Sequence, residues 1–65
     1  MTEQFLRLPQ VVKATGWSKI TIHRAVQAGR FPKPVKLGAR SIAWPESEVA
    51  EWQESRKAER DEMAA

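Results

Sequence analysis

The 65-residue chain has no cysteine, one histidine (His23), one aspartate (Asp61) and three scattered glycines. Without thiols there is neither a disulfide framework nor a thiolate metal site. A lone histidine and an aspartate near the C-terminus are too few for a Ser-His-Asp triad or a histidine-carboxylate metal centre. The glycines do not form a phosphate-cradling loop. These absences speak against an enzyme and call for no metal or cofactor. No stretch approaches the roughly 18 apolar residues that span a bilayer. The opening Met1-Thr2-Glu3-Gln4 lacks the basic and apolar regions of a signal peptide. A cytoplasmic location with no membrane partner is expected.

What is present suffices for one small domain. Chains of this size bury only about 60% of the surface that the unfolded chain exposes, so stability is marginal. The 42% hydrophobic content supplies one core, and 29% charged residues keep the surface soluble. The charge is unevenly placed. Residues 1–45 carry eight cations against Glu3, a net +7, whereas residues 46–65 carry three cations against seven anions, a net −4. Both sets could be ordinary solvated faces, but so dense a basic half favours a polyanionic partner.

Leu8, Val11, Val12 and Thr15 recur with the period of a short amphipathic helix. Pro9 suits its first position, and Gly16 its left-handed C-terminal stop. Trp17 reads as a core plug in the turn. Ser18 caps a second helix that runs to about Ala28, with Gly29 ending it. Two helices separated by so short a glycine-containing turn form a helix-turn-helix.

At about 100° per residue, Ile22, Ala25 and Val26 make the inward stripe of the second helix. Ile20, His23, Arg24 and Gln27 face away. Lys19 occupies the first turn, where the helix dipole disfavours a cation unless an external anion compensates.

Beyond Gly29, Pro32 and Pro34 impose an extended path. Val35-Lys36-Leu37 and Ser41-Ile42-Ala43-Trp44 then alternate like strands. A type II′ turn at Gly38-Ala39 would give them a two-stranded wing. In that register Val35, Leu37, Ile42 and Trp44 share the inner face, Lys36 points outward and Arg40 sits at the tip. A last helix begins near Pro45, with Glu46, Glu48 and Glu51 complementing its positive end and Val49 and Trp52 docking on the core. After Trp52 no large apolar residue appears until Met63, so fraying is expected from about residue 57. The expected organisation is a DNA-binding domain over residues 1–57 and a frayed acidic tail over 58–65. The fold class is α+β, mainly α: a small winged helix-turn-helix with a two-stranded wing and a C-terminal helix.

The runs Leu8-Pro9-Gln10-Val11-Val12, Thr15-Gly16-Trp17-Ser18, Thr21-Ile22-His23-Arg24, Gly29-Arg30-Phe31-Pro32-Lys33-Pro34-Val35-Lys36-Leu37-Gly38 and Trp44-x-x-Ser47-Glu48-Val49-x-x-Trp52 resemble the AlpA family. These are small phage and prophage regulators related to excisionases, with a MerR-like winged helix-turn-helix. The resemblance covers about residues 5–57. It implies sequence-specific binding to double-stranded DNA that regulates phage genes, assists a site-specific recombinase (an integrase), or does both. Such proteins commonly have an aromatic residue where His23 stands, so base preference does not transfer.

The candidate contact residues are Ser18, Lys19, Ile20, Thr21, His23, Arg24 and Gln27 on the recognition helix. Arg30, Lys33, Lys36 and Arg40 join them from the wing and its flank. Arg24 suits bidentate reading of guanine, against the alternative of a solvated arginine. Lys19 suits phosphate, which positions without specifying. Gln27 could read adenine or lie too near the helix end. Ile20 is either a thymine-methyl contact or an incidental aliphatic. Arg40 suits the minor groove, or else only solubilises its turn. Trp17, Trp44 and Trp52 fall on inward positions and read as core rather than as stacking platforms. With no dimerising coiled coil, a monomer that binds adjacent DNA sites cooperatively is expected. The competing function is a protein-interaction adaptor or inhibitor that works through the acidic C-terminal helix.

Overall fold

The computed structural model describes residues 2–64, so the first residue of the expected domain and the last of the expected tail lie outside it. The chain forms β1 (Phe5–Leu6), α1 (Leu8–Thr15), α2 (Lys19–Gln27), β2 (Val35–Gly38), β3 (Ser41–Pro45) and α3 (Glu46–Ala64). The expected α+β winged helix-turn-helix is present, with one addition. The wing strands β2 and β3 are joined by β1 into a three-stranded antiparallel sheet of order β1-β3-β2.

β1 pairs Phe5 with Pro45 and Leu6 with Trp44. Two residues are too few to show alternation, so the strand has no signature in the sequence. Its lead-in starts α3: the Glu46 N–H donates to the Gln4 carbonyl at 2.9 Å, and the Ser47 N–H donates to Glu3 Oε1 at 2.8 Å. Two of the N–H groups that every helix start leaves unpaired are thus satisfied by residues more than 40 positions away. Pro45, expected to open this helix, instead ends β3.

The wing register also differs from the expected one. Val35 pairs with Ala43, Lys36 with Ile42 and Gly38 with Ser41, and Leu37 forms an unpaired bulge. Ala39 and Arg40 therefore make the turn, and Gly38 lacks the positive φ of a type II′ turn. The expected register would have set Val35 opposite Ile42 and Lys36 opposite Ser41. The observed pairing is displaced from it by one residue. The shift also changes faces. Val35 now shares the side of Ala43 and is exposed, as is Leu37, while Lys36 lies on the side of Ile42 instead of pointing outward.

The core comprises Val11, Ile22, Ala25, Phe31, Trp44 and Val49, with Leu6, Leu8, Val12, Trp17, Val26, Ile42 and Trp52 packed around it. Phe31 is its hub. Its ring meets Trp17 at 6.2 Å, Trp44 at 6.2 Å and Trp52 at 5.1 Å, all tilted or edge-on. Trp44 is fully buried, but Trp17 and Trp52 are only half-buried. Past Gln53 every α3 side chain through Met63 is exposed. The helix nevertheless continues to Ala64, so its second half projects from the body and stretches the molecule to 45 Å.

Candidate nucleic-acid interface

The helix-turn-helix is built by local bonds that the sequence already marks. Gly16 takes φ +75° and its N–H donates to the Val12 carbonyl at 2.9 Å, closing α1. The Thr15 hydroxyl donates to the Val11 carbonyl at 2.8 Å and accepts the Trp17 N–H at 3.1 Å, which fixes the turn. Ser18 caps α2 by accepting the Thr21 N–H at 3.2 Å, and the two hydroxyls lie 2.9 Å apart. Pro9 stands second in α1, not first, and still spares an N–H that would have no intrahelical partner.

At the far end of α2, Gly29 adopts φ +76°. Its N–H donates to the Val26 carbonyl and the Arg30 N–H to the Ala25 carbonyl, at 3.2 and 2.8 Å. This pair of bonds is a Schellman ending. The carbonyls on either side of Phe31 are then held by indoles. Trp52 Nε1–H donates to the Arg30 carbonyl at 3.1 Å, and Trp44 Nε1–H donates to the Pro32 carbonyl at 2.8 Å. Gln53 donates through Nε2 to the Ala14 carbonyl at 3.0 Å, tying α3 to the end of α1. The segment leading from α2 to the wing is thereby immobilised from two elements.

On this frame the inward stripe of α2 is as expected, with Ile22 and Ala25 buried and Val26 half-buried. Ser18, Lys19, Ile20, Thr21, His23, Arg24 and Gln27 are all exposed. Ile20, His23, Arg24 and Gln27 follow at three- and four-residue spacings, which on a helix makes one continuous stripe. Arg24 and Arg30 border one recess of about 260 Å³ together with Trp17, Thr21, Ala25 and Ala28. Lys19 borders a different, apolar groove with Leu8, Pro9 and Val12. Lys33, Lys36 and Arg40 are exposed on the linker, β2 and the wing turn. A larger recess, lined by Thr2, Glu3, Gln4, Glu46, Ser47 and Ala50, holds none of the candidate residues.

The electrostatics separate the two halves of the molecule. Among the described residues the three ion pairs are Arg56–Glu59, Lys57–Glu54 and Arg60–Asp61, all exposed and all within α3. Among the described residues, none of Lys19, Arg24, Arg30, Lys33, Lys36 and Arg40 meets a carboxylate. The cations of α2 and the wing are left available, whereas those of α3 are neutralised by their own helix. The perturbed titration lies elsewhere: hydrogen bonding from the Ser47 side chain, then from its backbone N–H, lowers the pKa of Glu3.

Sequence reasoning missed β1, the helix-capping role of Glu3, the hub position of Phe31 and the Gln53 tie. Only Phe31 carried a usable signal, as a large aromatic directly ahead of two prolines in an otherwise basic linker.

The family described as prophage CP4-57 regulatory protein (AlpA) matches residues 4–57. An uncharacterized protein, ORF88, of Enterobacteria phage P4 is 43% identical over 58 residues, covering 89% of this chain and 66% of that protein. The DNA-binding transcriptional activator AlpA of Escherichia coli K12 is 36% identical over 55 residues, covering 75% of this chain and 79% of that protein. The chain thus spans just under two thirds of the length of the phage P4 relative.

Proposed function

The chain belongs to the AlpA family of prophage regulatory proteins, a family of regulators and not of enzymes, and we propose that it binds double-stranded DNA sequence-specifically to control prophage genes. The observation that carries this function is the run of exposed cations without carboxylate partners on α2 and the wing. α2 enters the major groove, with Arg24 reading a base edge and Lys19 holding phosphate. Arg30, Lys33 and Lys36 follow the backbone, and Arg40 reaches phosphate or the minor groove from the wing turn. The matched relative in Escherichia coli is named a DNA-binding activator, which supports the same activity here.

The bound complex serves transcription, excision alongside an integrase-type recombinase, or both, since each needs the same contacts to DNA. One copy presents a single short recognition helix, and such modules bury only about 600–1,000 Å². Discrimination within a genome therefore comes from a monomer that occupies adjacent sites cooperatively, the acidic α3 of one copy beside the basic face of the next.

Footprinting on DNA flanking the protein's own gene tests the function. A protected promoter marks regulation, and protected repeats beside an attachment site mark excision. Arg24→Ala should shift the footprint to higher protein concentration and Glu51→Lys should not; the reverse pattern would move the working surface to the acidic helix. Sedimentation without DNA, then titration of duplexes holding one and two sites, tests the assembly. A stable dimer in free solution, or equal affinity per site on both duplexes, excludes cooperative monomers.

A further inference from the structure

Ile20 is 63% exposed on α2, the element that otherwise shows only polar and small side chains to solvent. On its stripe the neighbours are His23, Arg24 and Gln27, and the apolar groove lined by Leu8, Pro9, Val12 and Lys19 does not include it. The other exposed large hydrophobics (Phe5, Val35, Leu37 and Met63) belong to β1, β2 and the far end of α3. A protein partner would call for a contiguous apolar patch. One branched aliphatic set among hydrogen-bonding groups fits a single apolar feature in a polar surface. The major groove offers one such feature, the C5-methyl group of a pyrimidine.

We propose that Ile20 reads the C5-methyl group of a pyrimidine in the major groove, thymine in unmodified DNA and 5-methylcytosine in methylated DNA. The inference rests on DNA binding through α2 as set out above and adds the ligand chemistry of one position. Ile20 lies in the first turn of a helix that starts at Lys19, and it is the N-terminal part of a recognition helix that approaches base edges. Arg24 stands four residues on, roughly 6 Å along the axis, which is less than two base-pair steps. The methyl contact is therefore within about two base pairs of the base that Arg24 reads. A β-branched side chain has little χ1 freedom to lose on contact. An aliphatic group has no hydrogen-bond preference between the O4 of thymine and the N4 amine of cytosine. Methylation of cytosine at this one position consequently strengthens binding.

The test starts from duplexes selected by the intact chain from a random library. At each enriched pyrimidine within two base pairs of the Arg24-dependent base, four versions are compared: thymine, deoxyuridine, cytosine and 5-methylcytosine. Removing the methyl group, in either pair, should weaken binding about fourfold, the effect of leaving one methyl group unburied. Ile20→Ala should fold normally and bind the methylated and unmethylated member of each pair equally. Equal binding of thymine and deoxyuridine throughout the selected motif overturns the methyl contact while DNA binding stands. So does a methyl preference that survives in Ile20→Ala. If no duplex is enriched, DNA binding itself fails and the methyl contact fails with it.

Discussion

The Trp44 indole N–H donates to the Pro32 carbonyl across 2.8 Å, joining the middle of the sheet to the segment that leaves the recognition helix. Trp52 makes the corresponding bond to Arg30. Phe31 is clamped between the two and buried against both rings. The orientation of the wing relative to α2 is thus set by two indoles and one phenyl ring. None of these three residues faces the candidate interface.

Because Trp44 is fully buried, Trp44→Ala should cost about 3–5 kcal/mol, the usual cavity penalty. A core this small supplies about that much in total, so most of the chain should be unfolded by circular dichroism at room temperature. Trp52→Phe keeps most of the ring contacts and loses one hydrogen bond, at about 1 kcal/mol. Near-native melting of Trp44→Ala would contradict the packing described.

Arg24→Ala should leave the melting temperature unchanged, because the side chain is exposed and makes no ion pair. Binding to a selected duplex should weaken by about 1–3 kcal/mol, with discrimination relaxed at one base pair. Competition among single-base variants of the site measures both effects. Unaltered discrimination would remove Arg24 from base reading.

Lys19, Lys33, Lys36 and Arg40 are assigned to phosphate or groove electrostatics. Neutralising any one that touches phosphate should weaken all duplexes alike. It should also lower the slope of log affinity against log salt by about 0.9. Titrations at several salt concentrations give that slope directly, and a slope unchanged in all four variants would overturn the assignment.

Glu3 accepts from Ser47 at the start of α3, which lowers its pKa below the ordinary glutamate value. Protonation is therefore harder in the folded state than in the unfolded chain. The resulting stabilisation is complete above the ordinary value and disappears as pH falls through the depressed folded-state value. Glu3→Gln should accordingly melt below the parent at neutral pH and match it in strong acid. A constant difference across that range would show that the charge on Glu3 is not what matters.

From Glu54 through Met63 every α3 side chain is exposed, and the side-chain support described there is exposed ion pairs, each worth at most a few tenths of a kcal/mol. Amide hydrogens of residues 58–64 should exchange quickly, in contrast to those around Val49. Truncation after Lys57 should change stability by less than about 0.5 kcal/mol. Slow exchange through Met63 would require a stabilising contact beyond these ion pairs.

What was legible in the sequence was local. α1 and α2, the Gly16 and Gly29 stops, the Ser18 cap and the outward stripe of Ile20, His23, Arg24 and Gln27 all depend on bonds and spacings within about five residues. A helix closes its own hydrogen bonds, so its limits and faces are written in its own segment. Tertiary structure decided the features that depend on distant partners. β1 exists only because Phe5 and Leu6 meet Pro45 and Trp44. Two residues carry no periodicity of their own. The wing register, with its bulge between Lys36 and Gly38, was settled by pairing with β3 while Trp44 was buried in the core. Local turn preference at Gly38-Ala39 pointed the other way and lost. Phe31 became the hub because three tryptophans from three separate segments converge on it. Contacts between distant segments leave no mark in either segment alone, and here they orient the wing against a recognition helix that was already visible.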